Sequence, residues 1–137
     1  MSSSIQIASQ HGNSDTTFIQ ASVPLFTTVN ATPSTFFSIS VTQSRCVYID
    51  LYICGIVSDF SSSIGGNIDS LFLRGTSSNI LQQGSSMISI VDGFAGKKSP
   101  VVNLSANTVT NSIDVVVTGL ATTTINWTAH YNLMSNA

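Results

Sequence analysis

A chain of 137 residues has the size of one domain, and a hydrophobic fraction of 42% supplies apolar material for a two-layer core, which excludes a disordered chain. Only 7% of residues are charged, with no Glu and a net charge of −2, so Ser, Thr, Asn and Gln must supply the polar surface. Those residues compete for backbone hydrogen bonds and disfavour helix. Four cations, Arg45, Arg74, Lys97 and Lys98, make no phosphate-tracking surface, which argues against direct nucleic-acid binding. No stretch approaches the roughly 20 apolar residues of a membrane helix, and residues 1–10 carry no basic region followed by an apolar run. No membrane or secretory address is expected.

Taken in chain order, the Ser-rich start reads as an N-terminal arm over 1–12, free of a core role and able to cross to a neighbouring subunit. His11, beside Gly12 and Asn13, reads as a loop residue. Short strands are predicted over 16–21, 23–30 and 35–43, the last two separated by the turn formers of 30–34. The clearest signal follows at 45–56: Val47, Ile49, Leu51 and Ile53 share one face and Tyr48, Asp50 and Tyr52 the other. Period two over this length means a strand, with the aliphatic face in the core and the tyrosine face toward solvent, a second sheet or a subunit neighbour. Cys46 and Cys54, eight positions apart on that strand, would stand about 26 Å from each other. Disulfide geometry needs Cα atoms within about 7 Å, so the two read as unpaired, buried or half-buried small apolar residues.

Residues 61–67 read as the longest loop, 68–74 as a strand, 78–84 as at most one helical turn, and 87–91 and 100–104 as further strands. Asp92-Gly93 with Gly96 marks a turn, and Lys97-Lys98 reads as a charged loop tip, with docking on an acidic neighbour as the alternative. At the C-terminus, Ile113, Val115 and Val117 alternate with polar residues. Ile125, Trp127, Ala129, Tyr131 and Leu133 do the same, and 119–122 is short enough to join the two runs as an antiparallel hairpin. Turn signals every 8–12 residues indicate one all-β antiparallel domain over 1–137, a sandwich or barrel of eight or nine short strands. Its core is expected to contain Val47, Ile49, Leu51, Ile53, Val115, Val117, Ile125 and Trp127.

Residues for chemistry are scarce. Ser, His130 and Asp114 would permit a hydrolytic triad, but no Gly-x-Ser-x-Gly turn is present, and His130 falls on the polar parity of its strand with Asn126 and Asn132. The six acids, all Asp, are scattered, and no spacing brings two together for glycoside hydrolysis. Residues 63–67 lack the lysine and helix of a phosphate loop, and two cysteines with two distant histidines make no metal site. No catalytic residue, metal or cofactor is expected. Asp50, between two tyrosines, reads as a charge that breaks up a sticky strand face, with contact to a partner cation or sugar hydroxyl as the alternative. Tyr48, Asp50, Tyr52, Lys97 and Lys98 are the candidate interface residues.

The run Val117-Thr118-Gly119-Leu120-Ala121-Thr122-Thr123-Thr124-Ile125-Asn126-Trp127-Thr128-Ala129 resembles the closing hairpin near the C-termini of tailed-bacteriophage virion proteins, including tail-fibre tips and small capsid-surface proteins. The similarity covers about the last 25 residues. It implies a virion protein with a β-sandwich or jelly-roll fold, commonly trimeric. Because the chain opens on its own Met1 and has no room for a tail-attachment segment or shaft, the expectation is a small capsid decoration or cement protein contacting the major capsid protein or other virion proteins. A receptor-binding or tail-tip module for a host glycan or protein is the alternative.

Overall fold

The computed structural model describes residues 6–12 (as backbone), 16–94 and 98–137. Among them there is no helix, and ten strands form two antiparallel sheets. Sheet A runs β1 (Gln6–Gly12), β2 (Thr16–Thr28), β10 (Ile125–Asn136), β4 (Arg45–Val57) and β5 (Ser63–Arg74). The far edge of β5 carries two strands in succession: β6 (Leu81–Gln82) beside Phe72 and Leu73, and β7 (Met87–Asp92) beside residues 64–69. Sheet B is β3 (Pro33–Ser40), β9 (Ser112–Thr118) and β8 (Val101–Asn107). The strands thus divide seven to three between the two layers of an all-β antiparallel sandwich, as the strand pattern predicts.

The predicted core is the observed one, and all eight expected residues are at most 4% exposed. Val47, Ile49, Leu51 and Ile53 of β4 face Ile113, Val115 and Val117 of sheet B within one apolar cluster, as the period-two pattern requires. Aromatic rings join the layers: Phe37 of β3 stacks on Tyr131 of β10 at 5.6 Å, and Phe36 on Phe26 of β2 at 5.4 Å. Trp127 is fully buried, its indole Nε1–H donating to Thr28 Oγ1 at 3.0 Å. Its cross-strand partner is Gly55, where a Cβ would lie 2.7 Å from the indole ring, so the missing side chain makes room for the tryptophan.

Several expectations are corrected. The two C-terminal runs do not form a hairpin: β9 lies in sheet B between β3 and β8, whereas β10 lies in sheet A between β2 and β4. Residues 119–124 are therefore a crossover between layers. Gly119 fits there because a Cβ would lie 2.5 Å from Thr28 Oγ1 and 2.7 Å from the Asn30 carbonyl. Alternation shows that a run is a strand but not which strand it pairs with, and both runs found partners far away in sequence.

The segments 16–21 and 23–30 are one strand. Pro24 sits where the β2–β10 register shifts between the Phe26–Trp127 and Val23–Ala129 pairs, and beyond the reach of β1, so no ladder bond is asked of it. The supposed loop 61–67 is largely strand, with Gly65 and Gly66 inside β5. Glycine is needed at 66 because a Cβ there would strike the Ser89 carbonyl of β7. Residues 81–82 pair as β6, and no helical turn forms at 78–84. The N-terminal segment is not a free arm over 6–12. It forms β1, antiparallel to β2 of the same chain, and His11 lies in that strand rather than in a loop. Residues 1–5 of the expected arm lie outside the described residues.

Candidate functional site

The outer face of sheet A gathers most of the chemistry. Register places side chains in rows across the strands, because directly opposed residues of antiparallel strands share a face. One row is Phe18–Met134–Tyr48–Leu71, and the row beside it ends in Cys46–Leu73–Leu81. Together these form an apolar and aromatic band spanning the sheet, in which Tyr48, Leu71, Leu73, Leu81 and Met134 are all exposed. The next row is polar, Gln20–Asn132–Asp50–Asp69, and the next is Ser22–His130–Tyr52–Asn67.

No spacing along the chain pairs two acids, yet Asp50 and Asp69 stand directly opposite each other. Tyr52 donates to Asp50 Oδ2 at 2.8 Å and Tyr48 to Asp69 Oδ2 at 2.7 Å, and the Asn67 amide donates to both carboxyls at 3.3 Å. Burial pushes the Asp50 carboxyl up, but hydrogen bonds from Asp69, Tyr52, Asn67 and Asn132 outweigh it and hold Asp50 below the ordinary carboxylate value. Asp69 is raised, first by its hydrogen bond to Asp50 and then by burial. Of the two opposed carboxyls, Asp69 is therefore the more readily protonated. The Tyr48 hydroxyl is pushed up to about 12, chiefly by its bond to Asp69, and that of Tyr52 is raised by its bond to Asp50.

Every donor named here is spent on a carboxyl within the cluster. The Asn132 Oδ1 atom, buried beside Asp50, has no hydrogen-bond partner. The arrangement holds no acid and base flanking an open space, and what it offers outward is tyrosine ring surface over a network whose hydroxyl and Asn67 amide donors are paired from within. Alongside it lies an open hollow of about 430 Å³, lined by Tyr52, Cys54, Gly66, Thr128 and His130 among others. The His130 and Tyr52 rings are 6.2 Å apart, and His130 Nδ1 lies 3.5 Å from Ser22 Oγ.

The structure brings Tyr48, Asp50 and Tyr52 together, as their parity predicts. It does not bring the lysines to them: Lys98 is exposed in the connection from β7 to β8, and Lys97 lies outside the described residues. Asp50 is half-buried and bonded rather than simply solvent-facing. Cys46 and Cys54 are free, both on the outer face of β4; Cys46 is half-buried, but Cys54 is exposed, against expectation, because Gly65 opposite it contributes no side chain to cover it. Asp69, Asn67 and Asn132 are the residues that sequence reasoning missed, since only strand register carries them to Asp50.

Asp114, on the outer face of sheet B, is a contrasting carboxylate. Burial raises it, but hydrogen bonds from Ser38 (2.7 Å), Asn107 (3.0 Å) and Ser112 (3.0 Å) prevail and lower it. These are neutral donors around a single charge. Nothing there resembles a triad, because His130 belongs to the other sheet.

Among the described residues no three His, Cys, Asp or Glu side chains are grouped to hold a metal ion, and no helix is long and apolar enough to cross a membrane. No family model, curated protein or solved structure matches the chain.

Proposed function

We propose that this chain is a non-enzymatic virion protein of a tailed phage, a small capsid decoration or cement protein that associates with copies of itself and packs against the shell through the outer face of sheet A. The observation that carries the docking role is the apolar and aromatic band of that face beside an acid–tyrosine–amide network that is already internally bonded. Contiguous exposed apolar surface marks contacts, and polar groups that are already paired lose little when a neighbour displaces their water. The virion setting rests on the sequence resemblance in residues 117–129 alone, and the crossover found there in place of a hairpin leaves that support to the residues and not to their pairing.

A specific observation favours a second reading. The hollow beside Tyr52 and His130 sets two aromatic rings beside the hydroxyls of Ser22 and Thr128, chemistry that suits a sugar ring, so a receptor-binding module for a host glycan is the alternative function.

Cryo-electron microscopy of the intact particle, with the protein located by a labelled antibody, tests the choice. Many copies over the shell are expected, with particles that lack the protein losing heat resistance and regaining it when purified protein is added, but not when Leu71→Asp is added. A few copies at the tail tip with shell stability unchanged would replace the cement role with receptor binding, and absence from the particle would end the virion reading.

A further inference from the structure

The strand β7 presents an edge that nothing among the described residues pairs with. Its hydrogen-bonding parity can be worked out. Gly93 N–H donates to the Ser63 carbonyl at 2.8 Å, on the same register line as the β5–β7 pairs Gly65–Val91, Asn67–Ser89 and Asp69–Met87. In an antiparallel ladder, pairs that exchange both bonds alternate with pairs that exchange none. Met87, Ser89 and Val91 therefore spend their backbone groups on β5, while Ile88 and Ile90 turn theirs to the open edge.

The side chains of this strand are as unprotected as its backbone. Residues 80–91 contain no charge, proline or other device that guards an edge strand. Met87 and Val91 on the outer face are 73% and 77% exposed, and Ile88 on the inner face, beyond the rim of sheet B, is 63% exposed. Met87 and Val91 thus leave apolar side chain in water on one face of the edge, and Ile88 does so on the other.

We infer that β7 pairs with β7 of a second copy of this chain, antiparallel about a two-fold axis at Ser89, joining two A sheets into one continuous sheet. Such an axis keeps the same faces of both sheets on one side, and it makes the open edge complementary to itself. With Ser89 opposite Ser89, Ile88 of each copy lies opposite Ile90 of the other, the two residues whose backbone groups are free, and these pairs close four hydrogen bonds. Met87 falls opposite Val91 on the outer face, so every exposed apolar residue of the strand meets an apolar partner. Asp92 of each copy falls opposite Ser86 of the other, which keeps the two carboxylates apart. A net charge of −2 per chain adds little repulsion. The contact is isologous, so it replaces the three-fold assembly that the resemblance implied. It does not depend on the virion reading.

The test is sedimentation equilibrium of the full chain together with cross-linking. The wild type is expected to be dimeric, and Ile88→Lys and Ile88→Pro, which alter the open edge without removing a bond to β5, are expected to weaken dimerisation at least tenfold with the melting temperature of the dilute protein unchanged. In a Cys46→Ser, Cys54→Ser background, Ser89→Cys should form an intermolecular disulfide on mild oxidation, because residues flanking the axis in an unbonded antiparallel pair lie about 4.5 Å apart at Cα. Asn103→Cys, exposed on sheet B, should not. A monomeric wild type, a trimer indifferent to both Ile88 variants, or equal cross-linking at 89 and 103 would each overturn the proposal. A dimer with these properties that is absent from virions would leave the pairing standing and remove only the cement function.

Discussion

The two faces of β4 and β10 are built from the same alternating strands and do opposite work. On the inner face Ile49, Leu51, Ile125 and Trp127 are fully buried, and each is held by volume against sheet B. On the outer face hydrogen bonds hold Tyr52 and Asn132 to Asp50, and Tyr48 to Asp69 of the neighbouring strand, with solvent above them. Packing energy grows with the contacts that a side chain loses, whereas a bonded group at the surface exchanges its partner for water at small net cost. Stability should therefore reside on one face, and association on the other and at its edge.

The sharpest way to break this comparison is at the buried indole. Trp127→Ala removes the largest fully buried side chain and is expected to cost about 3–5 kcal/mol in urea unfolding. A loss below about 1 kcal/mol would show that the inner face does not carry the fold. Next in size are two changes around the same ring. Gly55→Ala puts a methyl group where the indole lies, an overpacking expected to cost about 1–3 kcal/mol. Thr28→Val leaves the buried indole N–H without its acceptor and is expected to cost about 1–3 kcal/mol. On the outer face, Tyr48→Phe and Tyr52→Phe each remove one hydroxyl bond at the surface, and each should destabilise less than Thr28→Val by the same measurement. A tyrosine variant as costly as Thr28→Val would mean that the outer network holds the sheet together.

What the sequence made legible follows the same division. Alternation assigned each residue of β4 and β10 to a face, and with it the core and the tyrosine side, since period two is a local property. Pairing is not local. Nothing within residues 112–133 says that Val115 will face Leu104 and Phe37 in one sheet while Trp127 faces Gly55 in the other, so a short connection was read as a hairpin turn. The same blindness hid Asp69, which is 19 positions from Asp50 and meets it only through the β4–β5 register. Gly65 and Gly66 suggest a loop because glycine is a turn former, although at 66 its smallness admits the backbone of a neighbouring strand. An unguarded edge was legible in the uncharged run 80–91, but which strand ended the sheet was not.

The smallest expected effects lie within the acid pair, where the opposite shifts of its two carboxyls can be tested by pH. Asp69 has a raised folded-state value, so its stabilising contribution is complete below the ordinary Asp value of 3.8 and is lost as pH rises through the raised one. Asp50 is lowered, so its contribution is present above 3.8 and lost as pH falls through the depressed value. In the wild type the two oppose each other and flatten the profile. Asp69→Asn removes the repulsion that builds as pH rises and keeps an amide to donate to Asp50, so its melting temperature at pH 7 should equal or exceed that of the wild type. Asp50→Asn removes the same repulsion but deprives Tyr52, Asn67 and Asn132 of an ionised acceptor, so at pH 7 it should melt below Asp69→Asn. That gap should shrink toward pH 2, where Asp50 takes up a proton. Thermal melts of the two variants across this range decide the matter, and an Asp50→Asn protein more stable at pH 7 than Asp69→Asn would reverse which carboxyl is lowered and which is raised.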